Sequence, residues 1–111
     1  MKNRIDRINS LIQEKISIIL RKELFVKDAL ITVQGVETSK DLKYTKIKVS
    51  VIPFKESQRA LKIIDKQLPK LQRILNKEIT IKFVPQMRFV LDKIEEKVSR
   101  VEEILRSLKK Q

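Results

Sequence analysis

The 111-residue sequence contains no cysteine, no histidine and no tryptophan, and only one glycine. Without cysteine there are no disulfides, no thiol redox chemistry and no thiolate zinc site. Without histidine the commonest general base and metal ligand is missing. Most hydrolytic dyads and triads are thereby excluded. One glycine, Gly35, cannot build a phosphate-cradling loop. Apolar runs stop at four residues or fewer, as in Ile18-Ile19-Leu20, so no stretch is long enough to span a bilayer. The basic start, from Met1 to Arg7, lacks a following apolar stretch and does not read as a signal peptide. A cytoplasmic protein is expected. Carboxylates add little: Glu95-Glu96 and Glu102-Glu103 lie near basic residues at helical spacing, as solvated ion pairs do. No catalytic residue, metal site or cofactor is expected.

Positive charge is abundant. There are 26 Lys+Arg against 14 Asp+Glu, a formal net charge of +12. On so small a surface that charge makes a field attractive to polyanions. The hydrophobic fraction of 41% is enough for one core, and the length suits one domain, residues 1–111. A charged surface that only keeps the protein soluble is the plain alternative.

Few glycines and prolines imply long regular elements. Ile5, Ile8, Leu11, Ile12, Ile16, Ile19 and Leu20 recur at three- and four-residue intervals and predict a first helix ending near Leu24, capped by Asn3 or Asp6. Ile31 and Val33 alternate with polar residues, then slip in phase at Gly35, which predicts a β-bulge. Ile47, Val49 and Val51 alternate with Lys46, Lys48 and Ser50, a half-buried strand with a basic outer face. The Ser39-Lys40-Asp41 turn makes the two strands an antiparallel hairpin. Ala60, Leu61, Ile64, Leu68, Leu71 and Leu75 then stripe a helical segment over 56–78, with a kink or break expected just before Pro69. Ile79, Ile81 and Phe83, then Met87, Phe89 and Leu91, alternate around Pro85 as a third extended stretch. Ile94, Val98, Val101, Leu105 and Leu108 stripe a closing helix over 93–111. The order predicts an α+β fold, with helices on one face of a three-stranded sheet.

Within the second helix, Lys66, Lys70, Arg73 and Lys77 follow spacings of 4, 3 and 4 residues, which places them on one ridge opposite the apolar stripe. A phosphate row would relieve their mutual repulsion and release counterions. A solvated helix face is the bland reading, but the ridge carries no carboxylate, which favours a functional one. Tyr44, Lys46, Lys48, Lys82 and Arg88 form a second group on the outer sheet face. Strand lysines also guard against edge-to-edge aggregation, so both readings of that group stay open. Lys40 and Lys43 flank the hairpin turn, and Arg4 and Arg7 the chain start; each could reach a phosphate. Base stacking has weak support: only Tyr44 is expected to be exposed, whereas Phe83 and Phe89 sit at core phases. These residues suit a grip on nucleic-acid backbone and shape.

The hairpin stretch Val36-Glu37-Thr38-Ser39-Lys40-Asp41-Leu42-Lys43-Tyr44-Thr45-Lys46-Ile47-Lys48-Val49-Ser50-Val51 closely resembles the signature of the bacterial ribosome-binding factor A family. Val84-Pro85-Gln86-Met87-Arg88-Phe89-Val90 resembles its valine-proline strand, and Arg100-Val101-Glu102-Glu103-Ile104-Leu105 its closing helix. The resemblance spans nearly the whole chain. It implies a type II KH-like domain and a non-enzymatic assembly factor. Such a factor binds the free small (30S) ribosomal subunit and its 16S rRNA. It assists late maturation and 5′-end processing, and is linked to growth in the cold. A monomer without membrane or small-molecule partners is expected. Where the family carries an Ala-x-Gly kink, Gln67-Leu68-Pro69 stands here, and Val98 replaces a glycine of the closing helix. A contrasting reading comes from the closing stripe, whose 4, 3, 4, 3 spacing also fits a coiled-coil seam and a protein–protein module.

Overall fold

The first helix forms where the apolar period demands it. In the computed structural model, which describes residues 3–92, 101–102 and 104–108, α1 runs Arg4–Glu23. The Asn3 side chain accepts a hydrogen bond from the Asp6 amide at 2.9 Å, capping the helix as the sequence allowed. Asp6 in the first turn and Arg21 and Lys22 in the last complement the helix dipole. Ile8, Ile12, Ile16, Ile19 and Leu20 are buried along one face.

Strands β1 (Leu30–Thr38) and β2 (Tyr44–Ile52) pair antiparallel. Their register shifts between Val33 and Gly35, which is the expected bulge. The extra residue, Gln34, donates its side-chain amide to the Ser50 hydroxyl at 2.9 Å. Strand β3 (Gln86–Leu91) adds parallel to β2, giving the order β1-β2-β3 with β2 central. A parallel neighbour requires a crossover, and α2 (Ser57–Glu78) provides it. Ile47, Val49, Met87 and Phe89 of the sheet share one buried cluster with α1 and with Ile64, Leu71 and Leu75 of α2. Both helices therefore cover the same sheet face, and the α+β layering matches the expectation.

Two details differ from it. Helix α2 is not divided at Pro69; one helix continues through it. An interior proline costs about 3 kcal/mol through the lost hydrogen bond and the ring clash. Ile64 before it and Leu71 and Leu75 after it are fully buried. Each such side chain contributes about 1.5–3 kcal/mol, so packing on both sides outweighs the local break. Second, residues 79–85 are irregular and only 86–91 form a strand. Gln72 holds the start of that strand. Its carbonyl oxygen accepts from the Met87 amide at 2.8 Å and its amide donates to the Pro85 carbonyl at 3.1 Å. These bonds satisfy backbone groups on the edge of β3 that is turned away from β2, and so tie the start of the strand to α2.

Residues 101–102 and 104–108 are helical, and Val101, Ile104, Leu105 and Leu108 are exposed. Ile94 and Val98 of the closing stripe lie outside the described residues.

Because Pro69 is exposed and its neighbours alone hold the helix, Pro69→Ala should stabilise the fold. We expect a gain of about 1–3 kcal/mol by urea unfolding, after allowing for the freedom alanine returns to the unfolded chain. A loss of stability would mean that the proline is needed by the native packing.

Candidate nucleic-acid interface

Helix α2 sorts its side chains by angle. Ala60, Ile64, Leu71 and Leu75 are buried, while Lys66, Lys70, Arg73 and Lys77 are all exposed. At 100° per residue the four cations centre about 140° around the helix from the buried stripe. The ridge predicted from spacing is thus present, about 16 Å long and turned away from the sheet. It is not entirely free of carboxylates: Lys70 pairs with Glu23 of α1 at 3.2 Å. Lys66, Arg73 and Lys77 have no ion pair among the described residues. Surface pairs of this kind are worth at most about 1 kcal/mol, so a phosphate could compete for Lys70.

Four members of the second predicted group lie on the opposite side of the molecule, whereas Lys82 belongs to no strand. Lys46 pairs in register with Arg88 across the parallel ladder, and Tyr44 with Gln86. Lys46, Lys48, Arg88 and Tyr44 share the sheet face that the helices leave uncovered. Here the sequence missed a carboxylate: Glu37 accepts from the Lys48 ammonium at 3.0 Å, as a diagonal neighbour across the β1–β2 ladder. This face is less positive than the α2 ridge. The candidate residues consequently form two surfaces, and one flat ligand cannot cover both.

Lys40 and Lys43 are exposed on the hairpin turn. The turn is held by its own side chains. Ser39 donates its hydroxyl to Asp41 Oδ1 at 2.6 Å, and the Lys43 amide donates to the same oxygen at 3.0 Å. The Tyr44 amide donates to the Ser39 hydroxyl at 3.1 Å. Leu42 adopts a left-handed φ of 63° and packs its side chain against the core. Hydrogen bonds from Ser39 and Lys43, aided by the Lys43 charge, hold the Asp41 carboxyl below its ordinary value. Lys82 follows α2 in the irregular segment, with its ammonium 5.6 Å from the Phe83 ring centroid. Arg4 and Arg7 are exposed on the first turns of α1.

Phe89 is buried as expected, but Phe83 is 76% exposed. Alternation through Ile79, Ile81 and Phe83 implied a core phase only if those residues formed a strand, and they do not. Phe25 is also exposed, which no periodic signal announced. Among the described residues no group of acidic side chains could hold a metal ion, and no helix is long and apolar enough to cross a membrane.

Comparison with known proteins points one way. The family profile described as "Ribosome-binding factor A" matches residues 4–105. A ribosome-binding factor A from Chlorobium limicola is 34% identical over 113 residues, covering 99% of this chain and 95% of its own length. One from Chlorobaculum tepidum is 34% identical, covering 98% and 93%. In fold, the chain is similar to the crystal structure of ribosome-binding factor A from Thermus thermophilus, with a TM-score of 0.69 at 17% identity, covering 78% of this chain and 93% of that one. It is also similar to a Thermus thermophilus ribosome-binding factor A homology model fitted into a cryo-EM map of a 30S complex, with a TM-score of 0.65 at 19% identity, covering 74% and 88%.

The turn that carries the sequence resemblance can be probed alone. Its depressed Asp41 favours the ordered loop at pH above the unfolded value, and that order is lost as pH falls through the lower folded value. In an NMR titration the Lys43 amide should therefore report a midpoint below the ordinary aspartate value of 3.8. Ser39→Ala should move that midpoint up, because it removes the hydroxyl donor that lowers it most. A wild-type midpoint at or above the ordinary value would refute this account of the turn.

Proposed function

The chain belongs to the ribosome-binding factor A family, and from that premise we propose that it binds the free small (30S) ribosomal subunit through its 16S rRNA. It would act there as an assembly factor, assisting late maturation and 5′-end processing. The observation that carries this reading is the α2 ridge: four exposed cations, set opposite the core, on a chain of net charge +12. Four cations whose Cβ atoms follow one another at about 5–6 Å along a rigid helix suit a row of phosphates. The relative fitted into a 30S map supports the same partner.

The mechanism is occupancy. Residues 1–111 act as one unit that holds an immature RNA conformation and leaves when the subunit matures. No bond is made or broken, so no catalytic group is needed, and the absence of histidine and cysteine is no handicap. The factor works as a cytoplasmic monomer, without a membrane or small-molecule partner. Its role is greatest in the cold, where RNA rearrangements slow. Lys40, Lys43, Lys82, Arg4 and Arg7 supply further phosphate contacts around the ridge. Lys46, Lys48 and Arg88, on the opposite face, would meet a second RNA segment.

The test is binding to purified small subunits, large subunits and whole ribosomes over a salt series. The wild type should bind small subunits alone. The variant Lys66→Gln/Lys70→Gln/Arg73→Gln/Lys77→Gln should bind weakly, with its logarithmic salt slope reduced by roughly 3, at about 0.7–0.9 per lost phosphate contact. Equal binding by both proteins would leave the ridge a solvated face. No binding to any ribosomal particle at low salt would overturn the reading.

A second reading rests on the exposed Val101, Leu105 and Leu108, which leave part of the closing stripe uncovered. If that stripe is a pairing seam, sedimentation at tens of micromolar will show a dimer. The first reading expects a monomer.

A further inference from the structure

Exposed aromatic side chains are informative, because each leaves a large apolar area in water. Two of them, Tyr44 at 60% and Phe83 at 76%, line the same cleft. They come from different elements: Tyr44 opens β2 and Phe83 lies in the segment before β3. The structure fixes their juxtaposition. The Gln86 amide donates to the Lys43 carbonyl at 2.9 Å, and Gln86 pairs in register with Tyr44. Gln72 of α2 holds the same strand start from the core side. Leu42 and Val84 complete the cleft wall, and its volume is about 430 Å³. That lies within the roughly 300–1,000 Å³ of small-ligand clefts.

Charge at the rim selects the ligand. Lys43 borders the cleft, and Lys82 stands over the Phe83 ring. Asp41 is also present, but both of its described hydrogen bonds are made within the turn. Two aromatic faces with ammonium groups beside them suit a planar, π-faced group attached to a phosphate. Stacking on aromatics next to cations is how proteins hold unpaired nucleotides.

We infer that the Tyr44–Phe83 cleft binds an unpaired RNA base by stacking, with Lys43 and Lys82 on its flanking phosphates. The inference deepens the RNA reading above and rests on it for the class of ligand. It adds a contact that reads single-strandedness to a surface otherwise suited only to backbone. It also assigns a use to Phe83, which would otherwise remain an exposed apolar ring.

The full chain supports a direct test. Tyr44 is its only tyrosine, so its ring protons are identifiable by NMR without substitution. The probes are a single-stranded oligoadenylate hexanucleotide and a blunt-ended, fully paired RNA duplex. The hexanucleotide should shift the Tyr44 ring protons upfield, and the duplex should not. Phe83→Ala should weaken hexanucleotide binding roughly 5- to 150-fold, the range for loss of one stacked base, with no change in salt slope. Tyr44→Phe should bind like the wild type, since it keeps the ring. Lys82→Gln should lower the salt slope by about 0.7. Both aromatics are exposed, so these variants should fold, as checked by circular dichroism. The proposal is overturned if the Tyr44 ring is unmoved by the hexanucleotide, as for a cleft that takes a peptide. It is equally overturned if Phe83→Ala binds as tightly as the wild type, or if paired and unpaired RNA shift Tyr44 alike. The two readings fail separately. Subunit binding through the ridge with an unmoved Tyr44 removes the cleft and leaves the ribosomal reading. Ring shifts lost in Phe83→Ala, without subunit binding, keep the cleft and remove the ribosomal reading.

Discussion

The division of α2 into two faces is the constraint on which the rest depends. Strands β2 and β3 are parallel, so a crossover must join them, and α2 is that crossover. Its buried stripe has to reach Ile47, Val49, Met87 and Phe89 of the sheet. Once that stripe faces inward, Lys66, Lys70, Arg73 and Lys77 have no choice but to face water. The core therefore orients the cationic ridge, and the rigidity of the ridge is that of the core. A helix with a weaker stripe would divide at Pro69 and split the ridge into halves of different direction.

Charge sets the second constraint. Like charges three or four residues apart on a helix destabilise it by about 0.2–0.5 kcal/mol a pair. Three such neighbours add roughly 1 kcal/mol of unfavourable energy to the isolated helix. The Lys70–Glu23 pair offsets only part of it, since an exposed pair contributes less than about 1 kcal/mol. The ridge is thus held in place by packing, against its own electrostatics. A polyanion reverses the sign of that contribution. This is a physical reason for such a surface to bind RNA phosphates more strongly than any single lysine would.

Much of this was legible in the sequence, and the exceptions have physical causes. The α1 stripe, the bulge beside Gly35, the hairpin and the ridge all depend on local period, which the chain displays directly. The break allowed for at Pro69 is absent because the burial of Ile64, Leu71 and Leu75 outweighs local propensity. Phe83 misled because alternation fixes a side chain's direction only within a ladder, and 79–85 has none. Glu23 and Glu37 could not be read as partners of Lys70 and Lys48, since those pairs are made by tertiary packing and strand register. The separation of the basic residues onto two faces follows from the layering, which periodicity alone does not report.

Gln72 links these parts. It sits on α2 between Leu71 and Arg73, so one helical turn carries a core residue, a strand clamp and a ridge cation. By binding Pro85 and Met87 it ends the irregular segment that begins after the ridge. Lys82 follows Lys77 by five positions and stands at Phe83, so only a short stretch of chain separates the end of α2 from one wall of the aromatic cleft. Tyr44, the other wall, opens β2 on the sheet face away from the helices, so a strand held at both places would have to bend around the molecule. Backbone grip on a rigid helix and base contact at its end are complementary. The first gives affinity that falls with salt, and the second distinguishes unpaired from paired RNA. In the proposed occupancy mechanism a contact of the second kind would tell an immature RNA from a mature one, because the phosphates are present in both.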